Sequence, residues 1–388
     1  LPAADVPLRE AFGCVLTADV SAPFDLPPFA SSAMDGYAVR SADTAGAEAD
    51  RPITLRIVGS VRMGRPPDVD VKPGGAVAVP TGGAVPPGAD AIVPVEHCAV
   101  EGDRLLVLRS TEPGRHVRPA GEDVRAGDLL IPTGRRLGPG DLGLLASAGI
   151  AVVPVRPRAR VGVLSTGDEL VEPGDPRGEA ATYDANAFTL DAAIRETGAV
   201  PVSLGRVEDD PERLARTLTE AAPRVDALVS SGGVAVGRHD PVKAAFAGGH
   251  DVEFLEVAMQ PGKPQAFGTV AGRPYFGLPG NPVSVFVSFE AFVRPALLRM
   301  MGRAERRPTV TARLAGELAG PVEKVRFARF RVEADGRGWR AVPTGGGRSN
   351  LLATVARANG LAMVPAGVER LVAGDEVEVL LFRDPDDP

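Results

Sequence analysis

Residues that could handle a phosphate gather in three short stretches of this chain. Val225–Asp240 reads VDALVSSGGVAVGRHD. Its apolar opening, Val225–Ser230, suits a buried parallel strand. Ser231, Gly232 and Gly233 follow, and such glycines admit positive φ and the close approach of another molecule. Successive bare N–H groups there can form an anion-binding nest. Asp240 comes next, and Pro241 suits the first turn of a helix. Alone, this run reads equally as a tight turn between a strand and a helix. Two more polar loops of the same kind lie nearby. One is TGDEL, with Ser165, Thr166, Gly167, Asp168 and Glu169; the other is GLPGNP, with Pro279, Gly280 and Asn281. Lys263 sits in a Pro-Gly-Lys-Pro turn. Backbone N–H groups and a lysine suit phosphate oxygens, whereas carboxylates beside phosphates repel them unless a divalent cation intervenes. Mg²⁺ bridging phosphate to one or two of the carboxylates Asp168, Glu169 and Asp240 resolves that conflict, with Glu169 and Asp240, on adjoining strand-exit loops, the expected pair. The pattern points to phosphoryl or nucleotidyl chemistry. There is no Walker A motif, and no GxGxxG follows a strand, which disfavours a dinucleotide oxidoreductase.

The elements that must position these loops alternate. Val161–Ser165, Val200–Leu204, Val225–Ser230, Val252–Val257 and Tyr275–Leu278 read as strands. Asn186–Thr197 reads as a helix closed by Gly198, and Pro211–Ala222 as one capped by Asp210. Asn281 is expected to cap a third helix that starts at Pro282, runs toward Met301 and bends near Pro295. This is a three-layer α/β domain with a mainly parallel sheet. Loops at the carboxyl ends of parallel strands converge on one crevice. Around it, residues 22–117 read as a β-rich insertion. Residues 1–21, with a short helical pattern at Leu8–Val15, and residues 118–156, with a helix over 139–149, form a split linker domain. The α/β domain spans 157–304, and residues 305–388 form a C-terminal β barrel or sandwich with a short helix at Leu351–Asn359. GGGRSN, Gly345–Asn350, is a second candidate nest, or a plain hairpin turn.

The chain has 388 residues, 44% of them hydrophobic, enough for two to four domains with real cores. A net charge of -7 argues against nucleic-acid binding through bulk charge. Cys14 and Cys98 form no CxxC, and the four histidines form no zinc motif. No signal peptide or membrane-spanning run is visible, so a cytoplasmic protein without a membrane partner is expected.

Taken in order, PPFASSAMDGYAVR, PTGGAVPPGADAIV, RPAGEDVRAGD, STGDEL, SSGGVAVGRHD, PGKPQAFG, GLPGNPVS and ARANGL resemble the molybdopterin molybdenumtransferase family, which includes the gephyrin E-domain. The resemblance covers nearly the whole chain. It implies the four-part fold above, with an α/β domain similar to molybdopterin adenylyltransferases. It implies a Mg²⁺-dependent reaction of adenylylated molybdopterin with molybdate that cleaves the phosphoanhydride, releases AMP and leaves molybdenum on the dithiolene. It places Asp35, Thr81, Asp123, Glu169, Asp209, Asp240 and Lys263 at positions of the family's site, and Arg329 (or Arg331) and Ser349 beside the oxyanion. From its loop alone Thr81 reads as a turn hydroxyl; the resemblance makes it a site residue. Three positions depart from the family pattern: Gln260 and Glu256 stand where lysines are common, and Ala30 replaces a frequent Asp. A two-fold homodimer with active sites shared between chains is implied, along with transient contact with a molybdopterin adenylyltransferase and with molybdoenzymes. Competing readings are a non-catalytic scaffold of the same fold, and the preceding adenylylation step.

Overall fold

A computed structural model describes residues 1–234, 241–246, 251–304, 306–336, 338–345 and 348–386. Asp240, with the metal-holding role expected of it, lies outside the described residues, as do two glycines of the GGGRSN turn. The chain divides into two compact units. One comprises Asp5–Phe12 and Leu16–Val155; the other comprises Leu1–Ala4, Gly13–Val15 and Arg156–Pro388.

The first unit is built on a six-stranded sheet of β1 (Gly36–Val39), β2 (Ile53–Ser60), β3 (Gly75–Val79), β4 (Ala91–Pro94), β5 (Cys98–Glu101) and β6 (Arg104–Val107). The strand order is β4-β1-β3-β2-β6-β5. β3 is apolar on both faces, GAVAV, because both are covered. Ala76 packs with Val39, Leu55, Val93 and Leu105, whereas Val77 and Val79 pack with Ala38, Val61 and Ile92 on the other side. The helix expected at Leu8–Val15 is a single 3₁₀ turn, Leu8–Glu10. Gly13, at φ +75°, ends any continuation, and the Leu8 N–H is spent on the Ala151 carbonyl at 2.8 Å. The predicted helix over 139–149 is α1 (Pro139–Ser147), where Asp141 Oδ2 accepts from the Gly138 N–H at 2.7 Å.

The second unit opens with β7 (Arg160–Thr166), α2 (Ala185–Glu196), β8 (Val200–Val207), α3 (Pro211–Ala221) and β9 (Ala227–Ser231). α4 (Pro241–Phe246), β10 (Asp251–Glu256), β11 (Pro264–Val270) and β12 (Arg273–Leu278) follow. The sheet order is β8-β7-β9-β12-β11-β10; the first four strands are parallel, and β11 runs antiparallel to both its neighbours, β12 and β10. Alternation along β9 divides the core. Ala227 and Val229 face Leu190, Ile194 and Phe289, and Leu228 faces Leu214, Leu218 and Val242. These are the three layers expected. After Pro282 the chain forms α5 (Pro282–Ser288), a π turn at Phe289–Val293 and α6 (Arg294–Met300). The expected bend is this π turn, placed just before Pro295, whose missing N–H cannot close a regular turn. Asn281 precedes α5 but gives it no side-chain cap hydrogen bond, contrary to expectation.

The C-terminal strands β13 (Thr309–Leu314), β14 (Val325–Ala334), β15 (Trp339–Pro343), β16 (Gly360–Val364) and β17 (Glu376–Leu381) close into a barrel. The circuit runs β14-β15-β13-β17-β16 and returns to β14. Phe330, Val332, Ala341 and Val379 fill it. Only Ala353–Ala356 of the expected Leu351–Asn359 helix is helical. Among the described residues no helix is long and apolar enough to cross a membrane.

Candidate active site

β7, β9 and β12 lie side by side, and register pairs Ser165 with Ser231 and Ser231 with Leu278. Three parallel strands therefore end level, and their exit loops meet. The Gly232 N–H donates to the Leu278 carbonyl at 3.1 Å, and the Gly167 N–H to the Val207 carbonyl at 3.2 Å. Gly232 has φ +99°, and a Cβ there would stand 2.4 Å from the Thr166 carbonyl oxygen. A Cβ at Gly280 would in turn lie 3.7 Å from Gly232 Cα. Bare backbone is what allows the three turns to touch. Gly233 continues the bend at φ +65°, and Pro279 and Asn281 flank Gly280 in the third loop.

Carboxylates border these turns. Thr166 Oγ1 donates to Asp209 Oδ1 at 3.1 Å, and the Asp209 N–H donates to Asp168 Oδ1 at 2.9 Å. Glu169 is exposed, and its Oε2 folds back to 2.7 Å from where a Gly167 Cβ would stand. Among the described residues no three His, Cys, Asp or Glu side chains gather closely enough to hold a metal by themselves.

Asn186 ties two of the loops together, and the sequence reading assigned it no role beyond opening a helix. Its Nδ2 donates to the Gly280 carbonyl at 2.7 Å and to Ser231 Oγ at 2.8 Å. Asp184 caps α2 by accepting the Ala187 N–H at 3.0 Å, which sets Asn186 in the first helical turn. The available signal was an Asn just inside a capped helix, where its side chain competes with the backbone unless it is used elsewhere.

The Pro-Gly-Lys-Pro turn is braced by another residue missed in the sequence. Buried Gln265 donates from Nε2 to the Gly262 carbonyl and to Ser288 Oγ, both at 2.6 Å. Lys263 Nζ lies 2.9 Å from Glu256 Oε2, both side chains half-exposed. Glu256, one of the departures from the family pattern, thus pairs with the very lysine expected to hold an anion. In the barrel, Arg329 is buried and donates from Nε to Thr354 Oγ1 at 3.1 Å, and burial pulls its pKa below the usual guanidinium value. Arg331 is exposed. The Ser349 carbonyl accepts the Val283 N–H at 3.1 Å, which brings that segment to the start of α5 and so beside the Gly280 loop.

In the first unit, Asp35 and Thr81 form one small site. Asp35 Oδ1 accepts the Thr81 backbone N–H at 2.7 Å and the Thr81 hydroxyl at 2.9 Å. Those bonds, the backbone one foremost, hold the Asp35 pKa below the ordinary carboxylate value. Asp123 is exposed, and its N–H donates to the Leu26 carbonyl at 3.0 Å.

Known proteins match this chain over nearly its whole length. Residues 1–149 match the MoeA N-terminal region (domain I and II), 162–299 the probable molybdopterin binding domain, and 311–382 the MoeA C-terminal region (domain IV). Molybdopterin molybdenumtransferase 2 of Mycobacterium tuberculosis is 42% identical over 96% of this chain and 94% of its own. The molybdopterin molybdenumtransferase of Bacillus subtilis is 32% identical over 98% and 90%. The crystal structure of the molybdopterin biosynthesis MoeA protein from Pyrococcus horikosii superposes with a TM-score of 0.78 at 34% identity, covering 99% of this chain and 95% of that one. With the motifs in order and the relatives matched nearly end to end, the chain belongs to the molybdopterin molybdenumtransferase family.

Proposed function

We propose that the crevice at the ends of β7, β9 and β12 takes adenylylated molybdopterin and molybdate, cleaves the phosphoanhydride, releases AMP and leaves molybdenum on the dithiolene. One observation carries this reading: three level parallel-strand exits meet through bare glycine backbone, with Asp168, Glu169 and Asp209 beside them. Glycine turns at parallel-strand exits suit a phosphoryl group, and Lys263 supplies positive charge in the Pro-Gly-Lys-Pro turn. The donors are carboxylate oxygens only, which suits a hard cation. Among the described residues no three such side chains form a cage; Mg²⁺ keeps waters and substrate phosphate oxygens in its shell and needs only one or two carboxylates. Mg²⁺ would be held by Glu169, with Asp240 as the second carboxylate, and there it would offset the charge on the phosphoanhydride. The test is AMP release from adenylylated molybdopterin with and without molybdate. A protein that binds the substrate but never releases AMP would be the scaffold of the same fold instead.

Lys263 is the residue through which molybdate or phosphate affinity can be tuned. Glu256→Gln removes its partner while keeping the side chain's shape. A half-exposed pair is worth up to about 1 kcal/mol, so the KM for molybdate should fall about two- to fivefold. Lys263→Ala should raise it. An unchanged KM in Glu256→Gln would show that the ion pair does not restrain the lysine.

The site assignments fall in both compact units, Asp35, Thr81 and Asp123 in one and Glu169, Asp209 and Lys263 in the other. We propose a homodimer in which residues of one chain serve the other. Asp35→Asn and Glu169→Gln proteins, each strongly impaired alone, should regain activity when mixed under subunit exchange, since a two-fold dimer makes equivalent sites. A monomer by light scattering, or no recovery despite proven exchange, would count against this.

A further inference from the structure

Asn186 is 8% exposed, and its amide has only one possible orientation. The Gly280 carbonyl can only accept, so the atom 2.7 Å from it is Nδ2, and the second Nδ2 hydrogen goes to Ser231 Oγ at 2.8 Å. Both donors are used. Among the described residues Oδ1, buried, has no partner. Ser165 Oγ, 1% exposed and paired in register with Ser231, has none either. Because Ser231 Oγ accepts from Asn186, its own proton is left to donate elsewhere. Unmet hydrogen-bonding capacity is therefore concentrated where the three loops meet, and leaving a buried acceptor without a partner is costly unless a ligand supplies one.

The chemistry of the orphan limits what that ligand offers. An amide oxygen accepts only. It gains nothing from an ionised phosphate or molybdate oxygen, which also only accepts. It needs an N–H or O–H. Resting on the function proposed above, we infer that Asn186 reads a neutral hydrogen-bond donor of the substrate's nucleoside or pterin portion through Oδ1, while its Nδ2 holds the second and third loops in register. The glycine turns receive the charged groups; Asn186 distinguishes the organic part that carries them.

The test is calorimetric binding of three probes, AMP, pterin and pyrophosphate, to wild type and Asn186→Ala. Losing one neutral hydrogen bond should raise the Kd for AMP or for pterin about 5- to 20-fold, the affected probe identifying the source of the donor. Pyrophosphate, which carries no such group, should weaken only through loss of the Nδ2 clamp, and so clearly less than the affected probe. Equal weakening of all three probes would reduce Asn186 to a loop clamp and overturn the inference, as would no change in any. If wild type binds neither AMP nor pterin, the proposed function itself fails and this assignment falls with it. A second measurement needs no variant to fold. The chain has four asparagines, Asn186, Asn281, Asn350 and Asn359, so selective ¹³C labelling of asparagine side-chain carbonyls gives a readable spectrum. The Asn186 carbonyl should shift with AMP or pterin and stay in place with pyrophosphate. A shift with pyrophosphate alone, or with no probe, would refute the donor-reading role.

Discussion

Gly232→Ala should cost about 3 kcal/mol of stability and reduce AMP-forming turnover at least about 100-fold. Two effects combine at this position. Its φ of +99° is a conformation in which a side chain is strained, worth about 1–2 kcal/mol. The added Cβ would also meet the Thr166 carbonyl oxygen at 2.4 Å and its carbon at 3.4 Å. Both are backbone atoms at the end of β7, so no rotamer change relieves the contact; one loop must move away from the other. That movement strains the Gly232 N–H bond to Leu278 and the register that brings Ser231 to Asn186. For a unit of this size, 3 kcal/mol lowers Tm by about 6–12 °C. Gly178→Ala is the control, since Gly178 has no atom within 4 Å of an added Cβ and no left-handed φ. It should match wild type in thermal unfolding and turnover. Wild-type Tm and turnover in Gly232→Ala would mean the loops do not need their close approach.

The parallel core of the α/β unit was legible because its strands are buried on both faces and punctuated by Gly and Pro. Val225–Ser230 reads as an apolar run ending in glycines, and the strand found there, Ala227–Ser231, is the one that leads into the Gly232 loop. Helix starts were legible where the cap is local: Asp210 accepts the Arg213 N–H at 3.0 Å, as its position before Pro211 implies. Tertiary partners were not. Asn186 meets groups 45 and 94 residues away, and Asp35 meets Thr81 across 46 residues. In its own segment Asn186 reads as one residue of a helix and Thr81 as a turn hydroxyl. Glu256 and Lys263 are close in sequence, but their pairing depends on the chain doubling back, with the Val257 N–H donating to the Lys263 carbonyl at 2.8 Å. The pattern at Leu8–Val15 misled for the opposite reason: its local periodicity was overridden by the bond from Leu8 to Ala151 and by Gly13.

Glu169→Gln should leave the fold intact and remove most of the turnover, about 100-fold or more. The side chain is exposed, and what the residue gives the fold is backbone: its carbonyl accepts the Thr182 N–H at 2.7 Å. Glutamine keeps that bond and the side chain's shape, so stability should stay within about 0.5 kcal/mol. Only the charge is lost. If that charge helps hold a divalent cation against a phosphoanhydride, the deficit falls on charge stabilisation in the transition state, a term of several kcal/mol. About 3 kcal/mol corresponds to roughly two powers of ten in rate. Asp168→Asn separates this from a general disturbance of the loop. Asp168 Oδ1 accepts the Asp209 N–H, and an asparagine oxygen can do the same, so its rate should fall less than that of Glu169→Gln. Titrating Mg²⁺ gives the second readout. The Glu169→Gln enzyme should need a higher Mg²⁺ concentration for half-maximal rate, and Asp168→Asn should sit closer to wild type. If Glu169→Gln releases AMP at a near-normal rate with an unchanged Mg²⁺ requirement, Glu169 is a surface carboxylate of the loop and the cation is held by other residues.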